Sequence, residues 1–372
     1  MTLILFDFGV VLFGLAFFYI LFYRIPVLPA VNKDISDCPT ISVIIPARNE
    51  EYNLPMLLSD LSAQTLPNIE IICVDDGSED LTSQVALSYG AKLIALKSKP
   101  EGWTGKSWAC QKGADAAKSE LLLFLDADVR LAPDGVGRIL SAYLQQGCTV
   151  SVQPYHKTER IYEQLSMMFN MIQIAANGTA LPKQHSIGLY GPIILIPHKV
   201  YDDVGGHESV KTSIVDDISL GLQLKKAGVK FSVYVGNPKV SFRMYADGLH
   251  TLLQGWVKNI ATGVSKTPFS VFMMVFIWIA SLISVPMQIV KFIILMNWAW
   301  VIIYCAIYIV WVCLLAATTR NLGKFHTWSV VLYPILMFIT LGVIFVSAFK
   351  KIFGLKVTWK DREINNKEKT CE

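Results

Sequence analysis

Asp126-Ala127-Asp128 follows directly on the apolar run Leu121-Leu122-Leu123-Phe124-Leu125. A short apolar run of this kind reads as a buried strand. Two carboxylates one residue apart would then stand at its C-terminal tip. In open α/β sheets that edge is where ligands bind. A carboxylate pair there suits a hard divalent cation that also binds substrate phosphates. The competing reading is a surface loop carrying two solvated acids. A second acidic stretch, Asp75-Asp76-Gly77-Ser78, follows the apolar run Ile69–Val74. A third, Asp216-Asp217, opens a helical stretch, where adjacent acids are also stabilised by the helix dipole.

The elements that must carry these groups can be read along the chain. Ile41–Ile45 is β-branched, short and stopped by Pro46, as expected of a buried strand. A helical stretch covers about 53–64, and Ile69–Val74 is the second strand. Ser78 or Asp80 caps a helix over about 81–89, which Gly90 ends. Lys92–Ala95 is a third strand, and a helix over 107–118 leads to Leu121–Leu125. Strands alternating with helices predict a parallel, doubly wound Rossmann-like α/β sheet. No GxGxxG follows the first strand, which argues against a hydride-transferring dinucleotide enzyme. Gly105-Lys106-Ser107 is like the end of a phosphate loop, but Pro100 stands where its first glycine belongs. A nucleotide-type sheet without either loop leaves a metal to carry the phosphates.

Pro46-Ala47-Arg48-Asn49-Glu50, Asp75-Asp76-Gly77-Ser78 and Asp126-Ala127-Asp128 occur in order, each at a strand end. Together they resemble the nucleotide-sugar half of a family 2 glycosyltransferase, with the GT-A fold. Gly205-Gly206-His207 and Val215–Leu220 resemble that family's acceptor loop and acidic motif. The resemblance covers about 41–263. Trp103–Cys110, Ser151–His156, and Phe242–Tyr245 with Gln254-Gly255-Trp256 are similar to the carotenoid-acid glucosyltransferases within it.

The resemblance implies roles. Pro46, Ala47, Arg48 and Glu50, with Asp75 and Asp76, hold uracil and ribose of a UDP-glucose donor; a plain strand-to-helix turn is the other reading of Asp75–Ser78. Asp126 bonds the ribose or a metal-bound water, and Asp128 ligates Mg2+ or Mn2+. Lys106 is a point charge near the phosphates, or a solvated lysine before a helix. Asp217 is the general base, with Asp216 its alternative. Trp103 packs on a sugar or base, or lies in a core. Trp256 and Lys258 touch the diphosphate. Gln254 is not followed by the Arg-Trp pair of processive polysaccharide synthases, which favours single sugar transfer. The implied activity is inverting transfer of glucose to the carboxyl group of a C30 carotenoid acid. Another membrane lipid as acceptor is the alternative, and a non-catalytic nucleotide-sugar-binding protein is the rival of a different class. His156, His185, His198 and His207 lack metal-ligand spacing.

Bulk composition places this chemistry at a membrane. Of 372 residues 53% are hydrophobic and only 17% charged, below the roughly 25% of soluble domains. The excess apolarity gathers at the ends, in 2–23, 269–290, 292–319 and 327–349, each long enough for a ~30 Å hydrocarbon core. Asp7 is the one charge in these runs. We therefore expect an N-terminal anchor at 1–23, a glycosyltransferase domain at 33–267, membrane or interfacial helices at 268–349 and a basic tail at 350–372. The first run lacks a basic leader and cleavage site, as expected of an anchor and not a cleaved signal. Arg24, Lys33, Lys258 and Lys266 flank the spans, which predicts a multi-pass protein of the cell membrane with its catalytic domain cytosolic. Lys350, Lys351, Lys356 and Lys360 fit that rule with three full spans, leaving 269–290 interfacial or re-entrant; four spans break it. Seven scattered cysteines without a CxxC pair predict neither a disulfide framework nor a zinc site. A net charge of +4 gives no sign of a nucleic-acid partner.

Overall fold

The computed structural model describes residues 2–31, 38–182, 186–353, 355, 357–359 and 362–364, and no side chains of 2–5, 259–265 or 357–364. Lys33, His185, Lys356, Lys360 and Cys371 lie outside the described residues. In chain order the first elements are α1 Thr2–Leu21, β1 Ile41–Ala47, α2 Leu54–Ser62, β2 Ile69–Asp75, α3 Thr82–Ser88, β3 Lys92–Ala95, α4 Gly105–Ala116 and β4 Leu121–Leu125. Then come β5 Val129–Leu131, α5 Gly135–Gln146, β6 Thr149–Gln153, β7 Tyr155–His156, α6 Ser166–Ala176, β8 Ile193–Pro197, α7 His198–Asp203 and α8 Asp216–Lys226. The last are β9 Phe231–Val235, β10 Val240–Phe242, α9 Leu249–Lys266, α10 Phe269–Ile294, α11 Trp298–Thr319, α12 Thr327–Val331, α13 Tyr333–Ile352, β11 Val357–Trp359 and β12 Arg362–Ile364.

The chain forms two compact units. The sheet unit, Pro26–Lys157 with Gly188–Met244, holds a seven-stranded sheet in the order β3-β2-β1-β4-β8-β6-β9. β1 pairs in parallel with β2 and β4, and β2 with β3. This is the predicted doubly wound half. β8 then runs antiparallel to both β4 and β6, so the whole sheet is mixed. Nothing in the spacing of the first four strands carries that reversal. Strand residues alternate between two cores: Val43, Ile45, Leu123 and Leu125 pack on one face, and Ile44, Leu122 and Phe124 on the other. Burial on both faces is why these strands read as continuous apolar runs. A second, three-stranded sheet has the order β5-β10-β7.

The helical unit comprises Met1–Ile25, Thr158–Ile187 and Tyr245–Ile364. Among the described residues, α10, α11 and α13 are long and apolar enough to cross a membrane. α10 is one continuous helix of 26 residues with Pro286 inside it, so it lacks the break that a re-entrant segment needs. The predicted run 327–349 is divided into α12 and α13, with Pro334 in the first turn of α13, where its missing N–H costs nothing. α1 packs along α10 through small residues: a methyl on Gly14 would lie 2.2 Å from Ser281 Cβ. Asp7 accepts a hydrogen bond from the Gln288 amide of α10, which satisfies the one charge of that run. Met167, Met168, Met171 and Ile174 of α6 are fully buried and pack as core.

Candidate active site

Four segments of the sheet unit meet at the C-terminal ends of β1, β2 and β4. The first two are laced together by hydrogen bonds. Asn49, at φ 51°, donates its backbone N–H to Ser78 Oγ at 3.0 Å and accepts at Oδ1 from Glu79 N–H at 3.0 Å. Glu50 N–H donates to Thr82 Oγ1 at 2.8 Å. The left-handed backbone that Asn tolerates turns the chain out of β1 here. The Glu50 carboxylate accepts from Asn53 Nδ2 at 2.8 Å. Asp75 is buried and its oxygens accept from Ser78 and Ser83, so it builds the turn after β2. Asp76 N–H donates to Ala47 O at 2.9 Å, and the Arg48 guanidinium donates to Asp76 O at 3.4 Å. Burial raises the Asp76 carboxyl above its ordinary range, against the pull of Arg48 and Lys99. Ala47, Arg48, Asn49 and Glu50 are thus hydrogen-bonded to the segment that follows β2.

β4 delivers Asp126 and Asp128 on the turn into β5. Asp126 N–H donates to Pro192 O at 3.0 Å, and its carboxylate meets Lys106 Nζ at 2.5 Å. Lys106 sits in the first turn of α4, whose N-cap Thr104 accepts from Ser107 N–H at 3.2 Å. Burial works against the Lys106 cation, but Asp126 and Asp216 outweigh it and hold it protonated. Asp128 is half-buried beside Asp126, and its carbonyl accepts from Arg243 N–H at 3.4 Å. Among the described residues no group of three His, Cys, Asp or Glu side chains converges as a metal cage. Two carboxylates at a strand tip still fit Mg2+ or Mn2+, because these ions bind through one or two carboxylates plus substrate phosphates and water.

Asp216 and Asp217 open α8. Asp217 is held from two sides, Oδ2 by Gly191 N–H at 2.8 Å and Oδ1 by Ile218 N–H at 2.8 Å. The segment 188–192, which leads into β8, brings Gly191 there. It lies on α8 at glycine contacts: a methyl on Gly188 would be 2.6 Å from Ile218 Cα, and one on Gly221 would be 2.7 Å from Gly188 Cα. Burial, with the charge of Asp216 adding to it, raises the Asp217 carboxyl to about 6. Asp216 Oδ2 accepts from Ser107 Oγ at 3.4 Å and faces His207 Nε2 at 3.9 Å. One pocket is lined by Pro46, Lys106, Cys110, Asp126, His207, Asp216 and Asp217.

Of the residues expected to hold the donor, Pro46, Lys106 and Asp126 line this pocket with Asp216 and Asp217, whereas Ala47, Arg48, Glu50, Asp75, Asp76 and Asp128 are not among its lining. Trp256 is different. It belongs to the helical unit, is 0% exposed, and stacks on Phe169 with ring centroids 4.9 Å apart. A fully buried ring has no face left for a donor, so its observed role is packing. Trp103 lies against Trp108, with centroids 4.9 Å apart. Gly188 and Gly191 were not expected at the site. Their signal in the sequence is the pairing of two glycines just ahead of an apolar strand.

These features can be set beside known proteins. A family model described as Glycosyl transferase family 2 matches residues 42–205. A Staphylococcus haemolyticus protein named 4,4'-diaponeurosporenoate glycosyltransferase is 36% identical over 253 residues, 66% of this chain and 67% of the relative. A Staphylococcus aureus protein of the same name is 32% identical over 339 residues, 87% of this chain and 88% of the relative. In structure, a mannosyltransferase from Pyrobaculum calidifontis, solved with GDP-Man and Mn2+, superposes with a TM-score of 0.55 at 16% identity over 93% of this chain and 96% of that one. The fold is thus of the GT-A kind, and the chain belongs to glycosyl transferase family 2, an enzyme family of glycosyltransferases.

Proposed function

We propose that this enzyme transfers glucose from UDP-glucose to the carboxyl group of a C30 carotenoid acid, 4,4'-diaponeurosporenoate, with inversion at C1. The acceptor class is supported by the names of both relatives, one of them aligned over 87% of this chain. The donor side rests on the hydrogen-bonded tips of β1 and β2, where Pro46, Ala47, Arg48, Glu50, Asp75 and Asp76 would hold the nucleotide. Asp126 and Asp128 would hold Mg2+ or Mn2+, which when bound would neutralise charge on the departing diphosphate. The nucleotide-sugar and Mn2+ of the mannosyltransferase are in keeping with this donor set.

The observation that carries the mechanism is Asp217, clamped by two backbone N–H groups yet raised to about 6. A carboxylic acid drawn from a bilayer holds its proton more tightly than in water, because low dielectric disfavours the anion. Asp217 receives that proton as the acceptor oxygen attacks C1. The C1–O bond to UDP breaks on the opposite face, and UDP leaves with the bonding pair. Lys106 offers a cation beside the phosphates. The apolar helices keep acceptor and enzyme at the cell membrane, with the catalytic unit on the cytosolic side and the remaining helices as its anchor.

The test is transfer from labelled UDP-glucose, with Mg2+ or Mn2+, to a lipid panel that includes the carotenoid acid. An alkali-labile glucosyl ester of the carotenoid supports the proposal. Transfer only to an alcohol lipid refutes the acceptor, and binding without transfer to any lipid refutes catalysis.

A further inference from the structure

Within the helical unit α10 runs antiparallel to both α1 and α11. Asp7, early in α1, meets Gln288, late in α10. Phe22, just after α1, meets Trp278, nearer the start of α10, with ring centroids 5.3 Å apart. Phe292 of α10 stacks on Tyr304 of α11 at 5.7 Å, and Phe18 of α1 meets Trp311 of α11 at 5.5 Å. α11 therefore carries the chain back to the face at which α1 ends and α10 begins. There the chain is tied down by Gln164, which is 1% exposed. Gln164 Nε2 donates to Thr158 Oγ1 at 2.6 Å. Its Oε1 accepts from His326 N–H at 2.8 Å and from Ser329 Oγ at 2.7 Å. The Thr158 hydroxyl donates to Lys324 O.

From this anchor α12 packs against α11 and ends at its middle. The Tyr333 ring stacks on Tyr308 with centroids 5.2 Å apart. Tyr308 lies about 16 Å along the helix axis from Thr319, half the length of α11. The chain turns here, ahead of Pro334. In a continuous helix Ile335 N–H would serve Val331 O, but it donates to Leu332 O at 3.0 Å. The Tyr308 hydroxyl supplies the missing donor to Val331 O. Such a substitute is needed where no water reaches the backbone. α13 then comes back. Val343, about 15 Å along the axis from Tyr333, packs in one cluster with Phe169, Leu252 and Trp256, against which Tyr162 and Leu165 also lie. Ser347 Oγ donates to Val257 O of α9 at 2.6 Å. Both arms thus reach the short stretch 158–165.

We propose that residues 324–352 form a re-entrant hairpin that inserts into one leaflet of the membrane, turns ahead of Pro334 about half-way through, and leaves by the face it entered. α1, α10 and α11 are then the three full crossings. The re-entry expected of 269–290 belongs instead to this later run. Ile335, Phe338, Phe345 and Phe349 form an exposed stripe along α13, opposite the buried Leu336, Thr340, Val343 and Ser347. The partner of that stripe is the acyl chains of the single leaflet. Lys350 and Lys351, in the last turn of α13, lie at its anionic headgroups. They share that face with Arg24, whose N–H donates to Ala180 O at 3.2 Å, so the basic residues at both ends satisfy the positive-inside rule together.

The experiment labels the full-length enzyme with a membrane-impermeant maleimide in sealed vesicles of each orientation, and peptide mass spectrometry identifies each labelled thiol. The probes are the native Cys371 of the tail, Asn321→Cys after α11, and Asn297→Cys between α10 and α11; both asparagines are exposed. We expect Cys371 and the Asn321→Cys thiol to be labelled from one side, and the Asn297→Cys thiol from the other. Labelling of Cys371 and the Asn321→Cys thiol from opposite sides means that α13 crosses, and overturns the proposal. Labelling of the Asn297→Cys and Asn321→Cys thiols from one side overturns it too, because α11 then does not cross. Depth is read from Tyr308→Phe in lipid nanodiscs. Loss of the donor to Val331 O should lower the melting temperature by several degrees. An unchanged melting temperature would place the turn in water and overturn the insertion.

Discussion

Replacing Gly221 with alanine should disable the enzyme without touching any reacting group. Gly221 lies on α8 one turn after Asp217, and its bare Cα faces Gly188 of the segment that carries Gly191. A methyl there would lie 2.7 Å from Gly188 Cα and 2.7 Å from Leu189 N. Carbon atoms pack at 3.5–4.0 Å, so helix and segment must part by about 0.8 Å. Both neighbours are backbone, so no side chain can rotate out of the way. The Gly191 N–H to Asp217 bond, now 2.8 Å, would open to a length at which hydrogen bonding is weak. Overpacking of this kind costs about 1–3 kcal/mol, a loss of several degrees in melting temperature. A misplacement of about 1 Å at a reacting group costs on the order of 10²-fold in rate. Initial rates with UDP-glucose and a melting curve would be measured on the same preparation. Wild-type kcat and melting temperature in Gly221→Ala would show that this glycine contact does not set the position of Asp217.

Further predictions concern charge and metal. Transfer should fall below about pH 6, roughly tenfold per unit, because Asp217 must be ionised to accept a proton and its carboxyl is raised to about 6; a limb near 4 on a kcat–pH profile would contradict this. The same shift has a sign in stability: Asp217 costs folding free energy above about pH 6, and that cost disappears as pH falls toward 3.8, so Asp217→Asn should lessen the gain in melting temperature on acidification over that window. Asp128→Ala should weaken Mn2+ binding in the presence of UDP by at least tenfold, read by calorimetry, while leaving the fold intact by circular dichroism. Gly255→Ala should destabilise the helical unit, since a methyl there would lie 2.4 Å from the Tyr245 ring, and limited proteolysis would report it.

Much of the site was legible because it stands at strand ends. Buried strands are short apolar runs, and the groups after them must lie at one edge, so Glu50, Asp75 and Asp126 could be placed together from order alone. The pairing of Asp217 with that edge was less accessible. It depends on β8 running against β4, and antiparallel insertion leaves no mark on the spacing of the preceding strands. His207 and Asp216 were singled out in the sequence, whereas Tyr201, whose oxygen lies 2.9 Å from His207 Nδ1, carried no signal there. Trp256 shows the opposite limit. Its motif suggested contact with a donor, but a motif does not report burial, and packing on Phe169 decides its role. Among the apolar runs, length and lack of charge identified the helices, while the division at Pro334 was visible only in the proline itself.

The most direct measurement uses the full-length enzyme in membranes with UDP-glucose, Mn2+ and the C30 carotenoid acid, comparing wild type with Asp217→Asn. Wild type should form an alkali-labile β-glucosyl ester of the carotenoid. Asp217→Asn should bind UDP with unchanged affinity and lose at least 10²-fold in kcat. Ester formation at the wild-type rate in the variant, or a glucosylated alcohol lipid in place of the ester, would contradict the proposed reaction.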